Sequence, residues 1–421
     1  MNGERTIVGL DIGTNVIRVA IATVSDDDKL EIVATSTHKS AGLRNGVIVN
    51  IEEAKDAVKN AIEEAEQSAG VIVNSVIAGI GGTYIDYENA RGVTPIRANP
   101  KSNRREVTQE DISKVIDIAT AIRYPVDREK IHVIPQNYIV DGVSIGIQPP
   151  INQLGFKLEA QVHIVTASKT IIQNMKACML RADYMLGGVM LKTLAQTQAV
   201  CHDDEMDLGS IIIDLGAGTT DVLVVLKGAP IKTCSIPVGG NLVTNDIAIV
   251  TKIPFAAAEE IKVASGCCWL QGITNDEDVI LPGVGGRAPE LIAKSQLCQI
   301  IQARMEQIFT FVRAEIIKNK DESIRKLFGN IILTGGGALM EGVVELAQAK
   351  FNTSSVRIGV PEVFGGNQDS YRRPDFATAI GLVVANKDRP QTQVRKKYKK
   401  AKTSDNSSSE GLLKKLRKAL F

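Results

Sequence analysis

Apolar and polar positions at the start of the chain predict strand, turn, strand. Thr6 to Leu10 is an apolar run, Asp11-Ile12-Gly13-Thr14 carries turn chemistry, and Val16 to Ala22 is a second run rich in β-branched residues. A third run, Leu30 to Thr35, follows the polar turn Ser25-Asp26-Asp27-Asp28. The period then lengthens. Ala54, Ala57, Val58, Ala61, Ile62 and Ala65 repeat at helical spacing, with Asn50 and Glu53 as an N-terminal cap and Gly70 as the stop. Ser75 to Ile80 is the next strand. Three antiparallel strands, a helix and a further strand make a meander with a crossover, not a chain of βαβ units.

The same order returns about 200 residues later. Ser210 to Ile213 is a strand, Asp214 to Asp221 a turn, Val222 to Leu226 a strand, Gly228-Ala229-Pro230 a turn and Ile231 to Val238 a strand, with a helix near Asn241 to Val250. Between the copies, Asp86 to Val162 has its own pattern: a capping box from Thr108 to Asp111 opens a helix, and His132 to Val140 and Lys157 to Val165 read as strands. This is an inserted subdomain. Glu290 to Asn319 is long and helical, and Ile331 to Leu333 is a strand leading into Gly335-Gly336-Gly337. Lys387 to Ser409 lacks apolar periodicity and predicts a flexible linker. A short helix begins at Glu410.

A length of 421 residues fits two to four domains, and 44% apolar with 23% charged residues is ordinary globular composition. No apolar run approaches the roughly 18 residues that span a bilayer, and the polar start Met1-Asn2-Gly3-Glu4-Arg5 lacks signal-peptide order, so a soluble cytoplasmic chain is expected. The six cysteines, including the vicinal Cys267-Cys268, are expected as buried reduced thiols, and no structural metal site is expected from the scattered histidines. The net charge of +1 conceals two unlike parts. Residues 387–421 hold 12 Lys plus Arg against 3 acidic residues, a net of +9; the body has 37 against 45, a net of −8.

No Gly-Lys dipeptide occurs, which excludes a Walker-type loop, and Gly283-Val284-Gly285-Gly286 lacks the strand-to-helix setting of a dinucleotide fingerprint. The remaining glycine turns sit in hairpins, where Gly13 or Gly216 lets backbone approach a phosphate closely while Thr14, Thr219 and Thr220 add hydroxyl donors. Asp beside a polyphosphate is repulsive unless a hard cation intervenes, so Asp11 and Asp214 imply Mg²⁺ held mainly through water. One such turn is a weak signal. Two at matching positions of a duplicated pattern, with Thr334-Gly335-Gly336-Gly337 offering bare backbone to a flat base, point to a nucleotide triphosphate.

These motifs resemble the actin, sugar-kinase and heat-shock chaperone superfamily, and the resemblance implies an α/β, actin-like (RNase H-like) duplicated ATPase fold. Asp11 to Thr14, with Asn15, would form the first phosphate loop. Asp214, Gly216, Gly218, Thr219 and Thr220 would form the second, and Gly335, Gly336 and Gly337 the adenosine loop, with ATP and Mg²⁺ as cofactors. Glu259 and Lys262 match a pair on the ribose and adenine side, or else form a solvated helical ion pair. Within the superfamily, several stretches look like the family of the bacterial cell-division protein FtsA: His132-Val133-Ile134-Pro135-Gln136, Ile236-Pro237-Val238-Gly239-Gly240-Asn241 with Thr244 and Asp246, Gly285-Gly286-Arg287, and Ala377 to Leu382. That resemblance implies subdomain 1A at 1–85 (completed by 163–204 and 361–386) and the inserted 1C at 86–162. Subdomain 2A is expected at 205–245 (completed by 325–360), 2B at 246–324, a linker at 387–409 and a C-terminal amphipathic helix at 410–421. Related ATPases carry a Glu-Pro pair where Leu191 and Lys192 stand here. Leu cannot activate water, and Gln196 or Gln198 is left to position one, so hydrolysis is expected to be weak or absent.

In the tail, Leu412, Leu413, Leu416, Leu420 and Phe421 share one helical face, with Lys414, Lys415, Arg417 and Lys418 on the flanks. Twelve residues make a helix of roughly 18 Å, too short to span a membrane but suited to lie in an anionic interface. The family resemblance implies self-assembly into a filament on the cytoplasmic face of the cell membrane, as a peripheral protein at the septum. It also implies tethering of the C-terminal peptide of FtsZ at 2B, with Arg304 at that contact, and binding of other divisome proteins through 1C. No nucleic-acid partner is expected, since Tyr398 is the sole stacking aromatic in the basic run. The alternatives are a metabolite kinase of the same superfamily and a pilus-assembly ATPase homologue.

Overall fold

The three opening runs form an antiparallel meander, Arg5–Ile12, Val16–Val24 and Leu30–Lys39. Ser75–Ile80 and then Met185–Leu191 extend the sheet in parallel on the other side of Arg5–Ile12. The second sheet repeats this: Ala229–Ile236, Thr220–Leu226 and Ser210–Leu215 are antiparallel, and Ile331–Thr334 and Val356–Ile358 are added in parallel. The computed structural model describes residues 5–96, 105–283, 285–286, 288–318 and 330–388. Residues 389–421, with the linker's basic run and the amphipathic face, and Arg287 lie outside the described residues.

Helix Ile51–Ala69 covers the first sheet with the predicted residues, Ala54, Ala57, Val58, Ala61, Ile62 and Ala65. The Asn50 side chain accepts the N–H of Glu52 at 3.1 Å and of Glu53 at 3.4 Å, satisfying donors that the first turn leaves unpaired. The predicted helix from Glu290 starts later. Glu290–Ala293 pairs with Asp278–Leu281 as a ribbon, and the helix is Lys294–Ile317; cross-strand bonds satisfy the backbone that a helical first turn would leave open. Helices Lys192–Val200 and Val343–Phe351 carry only a weak amphipathic signal in the sequence, whereas Lys169–Arg181 is amphipathic and buries Met175, Cys178 and Met179.

Two of the helices lie between the sheets. Ala377–Val384 packs on the first sheet and Lys192–Val200 against the second, and they cross each other. Ala377 to Val383 are all buried, so no polar stripe marks this helix. Each large side chain there, such as Ile380 or Leu382, contributes about 1.5–3 kcal/mol by leaving water. Burial also pushes the Cys178 thiol up to about 11 and that of Cys298 to about 12, which leaves both as inert protonated thiols.

The insert is a four-stranded sheet in the order Val143–Gly146, Arg128–Val140, Lys157–Ser168, Ile85–Pro95. Helix Gln109–Thr120 covers one face, and its Thr108–Asp111 capping box is formed. Residues of the insert reach the second sheet's edge strand, Ala229–Ile236. Gln136 Nε2 donates to Pro230 O at 2.8 Å and Asn89 Nδ2 to Ile231 O at 2.9 Å, so carbonyls on a free edge gain partners.

His163 lies at the centre of this contact, fully buried and stacked on Tyr87 with ring centroids 5.1 Å apart. Its Nδ1 is 2.7 Å from Asn89 Oδ1 and its Nε2 is 2.9 Å from Thr233 Oγ1. Burial, reinforced by His132, pulls its pKa down to about 4 from an ordinary 6.5. The unfolded chain therefore takes up a proton that the fold refuses. Stability is expected to fall as pH drops from about 6.5 to about 4, by on the order of 3 kcal/mol, and to level off below that. Urea midpoints of wild type and His163→Gln at pH 4.5 and 7.5 test this; an equal pH dependence in both would contradict it.

Candidate functional site

The two hairpin turns open on one cavity of about 370 Å³ between the sheets. Each turn is closed by its own backbone, Gly13 N–H to Val16 O at 3.1 Å and Gly216 N–H to Thr219 O at 3.0 Å. Asn15 and Asn241 exchange side-chain amide bonds of 2.7 and 3.1 Å across the gap. Asp11, Gly13, Thr14, Asn15, Asp214, Gly216, Gly218, Thr219, Thr220, Glu259, Lys262, Gly335, Gly336 and Gly337 all line it. The glycine loop needs its first glycine. Gly335 has φ +80°, and a Cβ there would stand 2.2 Å from Asp214 Oδ1.

Three carboxylates, Asp11, Asp214 and Asp221, are buried at the hairpin end. Strand register explains the third, because Asp214 pairs with Asp221 across the second hairpin where Asp11 pairs with Arg18 across the first. In the sequence Asp221 reads as the end of the turn, and its seven-residue offset from Asp214, equal to that of Arg18 from Asp11, is the signal that pairs them. Lys192, which stands with Leu191 where related ATPases carry a Glu-Pro pair, places Nζ 2.7 Å from Asp11 Oδ1 and donates to Ile12 O at 3.0 Å. Burial opposes its charge, but Asp11, Asp214 and Asp221 outweigh burial and hold its pKa above the ordinary lysine value. Burial, then the neighbouring Asp221, lifts Asp214 to about 7, against the pull of Lys192.

Asp214 is oriented by Gln196. Its Nε2 donates to Asp214 Oδ2 at 2.7 Å and Thr378 Oγ1 at 2.9 Å, while Thr334 Oγ1 donates to its Oε1 at 3.0 Å. Both amide protons of Gln196 are committed to those bonds and its side chain is buried outside the cavity lining, while Gln198 is exposed and does not line the cavity either. At the opposite end the wall is apolar, from Val243, Val263, Met305, Ile308, Leu339 and Met340. Glu259 and Lys262 are not a solvated pair: Lys262 Nζ reaches Glu259 Oε2 at 2.7 Å, Thr244 Oγ1 at 2.9 Å and Gly240 O at 3.3 Å, all beside the cavity. Arg18 and Arg373 both hold Asp375 on the rim, at 2.7 and 3.0 Å.

Asp11 Oδ1 is buried and receives no aligned hydrogen bond, although Lys192 is close enough to pair with it by charge. An orphaned carboxylate oxygen among three buried aspartates fits a divalent cation. Among the described residues no group of three or more His, Cys, Asp or Glu side chains could by itself hold a metal ion. Arg304 is far from free. It forks onto Asp246, with Nη2 to Oδ1 at 2.8 Å, and reaches Gln307, so an acidic partner would have to displace Asp246.

A duplicated sheet pair around two central helices, with hairpins facing across a cavity and an insert on the first half, defines the actin-like class. Solved structures show the same fold. The protein of the "PilM-PilN type IV pilus biogenesis complex" superposes with a TM-score of 0.63 at 14% identity, covering 92% of this chain and 100% of that one. MreB5 of Spiroplasma citri bound to ADP gives 0.56 at 14% identity, covering 91% and 96%. Residues 211–381 match the family described as Cell division protein FtsA, and residues 82–166 match the SHS2 domain inserted in FTSA. Cell division protein FtsA of Borreliella burgdorferi is 39% identical over 406 residues, 96% of each chain. The chain belongs to the FtsA family of actin-like cell-division proteins.

Proposed function

We propose that this chain binds ATP with Mg²⁺ in the cavity, assembles into filaments on the inner face of the cell membrane at the division site, and tethers FtsZ there. The observation that carries the nucleotide reading is the convergence of two matched hairpin turns, three buried aspartates and a glycine loop on one cavity. Asp11 and Asp214 would hold the hydrated cation, which offsets phosphate charge when bound. The apolar end suits a base, with Glu259 and Lys262 beside the sugar. Gly335, Gly336 and Gly337 present backbone there instead of side chains.

Binding is favoured over turnover because Leu191 stands where related ATPases carry the water-orienting Glu, and a leucine side chain has no group that activates water. A general base needs an uncommitted lone pair in reach of water. Among the described residues no helix is long and apolar enough to cross a membrane, and the tail at 410–421 is the proposed anchor. One short helix binds lipid weakly, and filament assembly multiplies the anchors. On this reading the insert at 86–162 offers a surface to other division proteins and Arg304 belongs to the FtsZ contact. Electron microscopy on an anionic lipid monolayer with ATP tests the whole: membrane-bound filaments are expected, and deleting residues 410–421 should abolish both filaments on lipid and sedimentation with anionic liposomes. Undiminished sedimentation of the truncated protein would remove the anchor.

A further inference from the structure

Lys192 breaks two local rules at once. It places a cation at the N-terminus of helix Lys192–Val200, where the helix dipole disfavours positive charge, and it turns a long charged side chain inward, 13% exposed. Positions where a protein breaks such local rules are expected to be functional or strained sites. Nζ has two acceptors in reach among the described residues, Ile12 O and Asp11 Oδ1, the second without hydrogen-bond alignment. An ammonium has three donors. Lys192 lines the cavity at its aspartate end, beside Gly79 and Gly81, away from the apolar wall.

We infer that Lys192 binds the terminal phosphate of a nucleoside triphosphate and is the residue by which this cleft distinguishes triphosphate from diphosphate. The inference rests on the nucleotide-binding reading and deepens it. With the base against Val243, Leu339 and Met340, the last phosphate of the chain is the group that reaches the aspartate end. Charge gives the reason for a cation there. Three carboxylates and one ammonium leave a net of −2, which one Mg²⁺ cancels; without Lys192 a net −1 would face the most highly charged phosphate. A diphosphate ends short of this position and gains little from it.

The test is calorimetric titration of the full chain with Mg-ATP and Mg-ADP, comparing wild type, Lys192→Met and Lys192→Arg, with melting curves to establish folding. Wild type should prefer ATP. Lys192→Met should lose roughly 10- to 100-fold in ATP affinity, the scale of one charge-assisted hydrogen bond, with ADP affinity within about threefold. Lys192→Arg should keep a preference for ATP, and it decides the matter if the methionine variant does not fold. An unchanged ATP-to-ADP ratio in Lys192→Met, or equal losses for both nucleotides, would overturn the inference and reduce Lys192 to a support for Asp11. Wild type that binds neither nucleotide would instead sink the nucleotide-binding reading itself.

Discussion

Asp214→Asn is expected to abolish Mg²⁺-dependent ATP binding and, without nucleotide, to make the protein more stable above pH 7. Both effects have one cause. Asp214 is buried beside Asp221, and its pKa is lifted to about 7 by burial first and by that neighbour second. The fold therefore holds a proton that the unfolded chain, with a carboxyl near 3.9, has lost. Stability falls as pH rises from about 4 to about 7 and then levels, at a cost of roughly 2–4 kcal/mol. Asparagine removes that slope and keeps the bond from Gln196 through its own Oδ1. The advantage of the variant over wild type should be absent near pH 4, grow to pH 7 and hold beyond. Melting curves across pH, with Mg-ATP titrations at pH 7.5, check both halves; a variant less stable at pH 8, or one binding Mg-ATP normally, contradicts the assignment. The slope is opposite to that of His163, so differences between variants carry the signal. An active site that costs the empty protein stability is the usual signature of function.

Gly381→Val should produce the largest loss of stability. Helix Ala377–Val384 is pressed between strand Arg5–Ile12 and helix Lys192–Val200. A Cβ at Gly381 would stand 1.9 Å from Ala195 O and 2.4 Å from its carbonyl carbon, and a Cβ at Gly9 would stand 2.3 Å from Ala379 O on the opposite side. Backbone blocks the space on both sides, so no rotamer change makes room. Overpacking a core commonly costs 1–3 kcal/mol, and a clash with backbone belongs at or above about 3 kcal/mol. The same displacement would carry Gln196 and Lys192 away from the aspartates, so nucleotide affinity should fall with stability. Gly381→Ala should lie between wild type and valine in urea unfolding. A valine variant with an unchanged midpoint would show that the two helices are not in backbone contact.

Sequence alone determined the features governed by neighbours along the chain. The Asn50 cap and the alanine face of Ile51–Ala69, the Thr108–Asp111 capping box, and the hairpin turns at Gly13 and Gly216 follow from local dihedral preference and from periods of 3.6 and 2. Duplication was legible because the same local order occurs twice. Tertiary structure decided which polar groups are buried together. Lys192 meets Ile12 across 180 residues, Gln196 meets Thr378 across 182, and Arg304 meets Asp246 across 58. No periodicity encodes such pairs, because the partner of a buried charge is whatever the packed sheets place within 3 Å of it. The sequence therefore shows no role for Lys192 beside Leu191, and the fold makes it the cation among three aspartates.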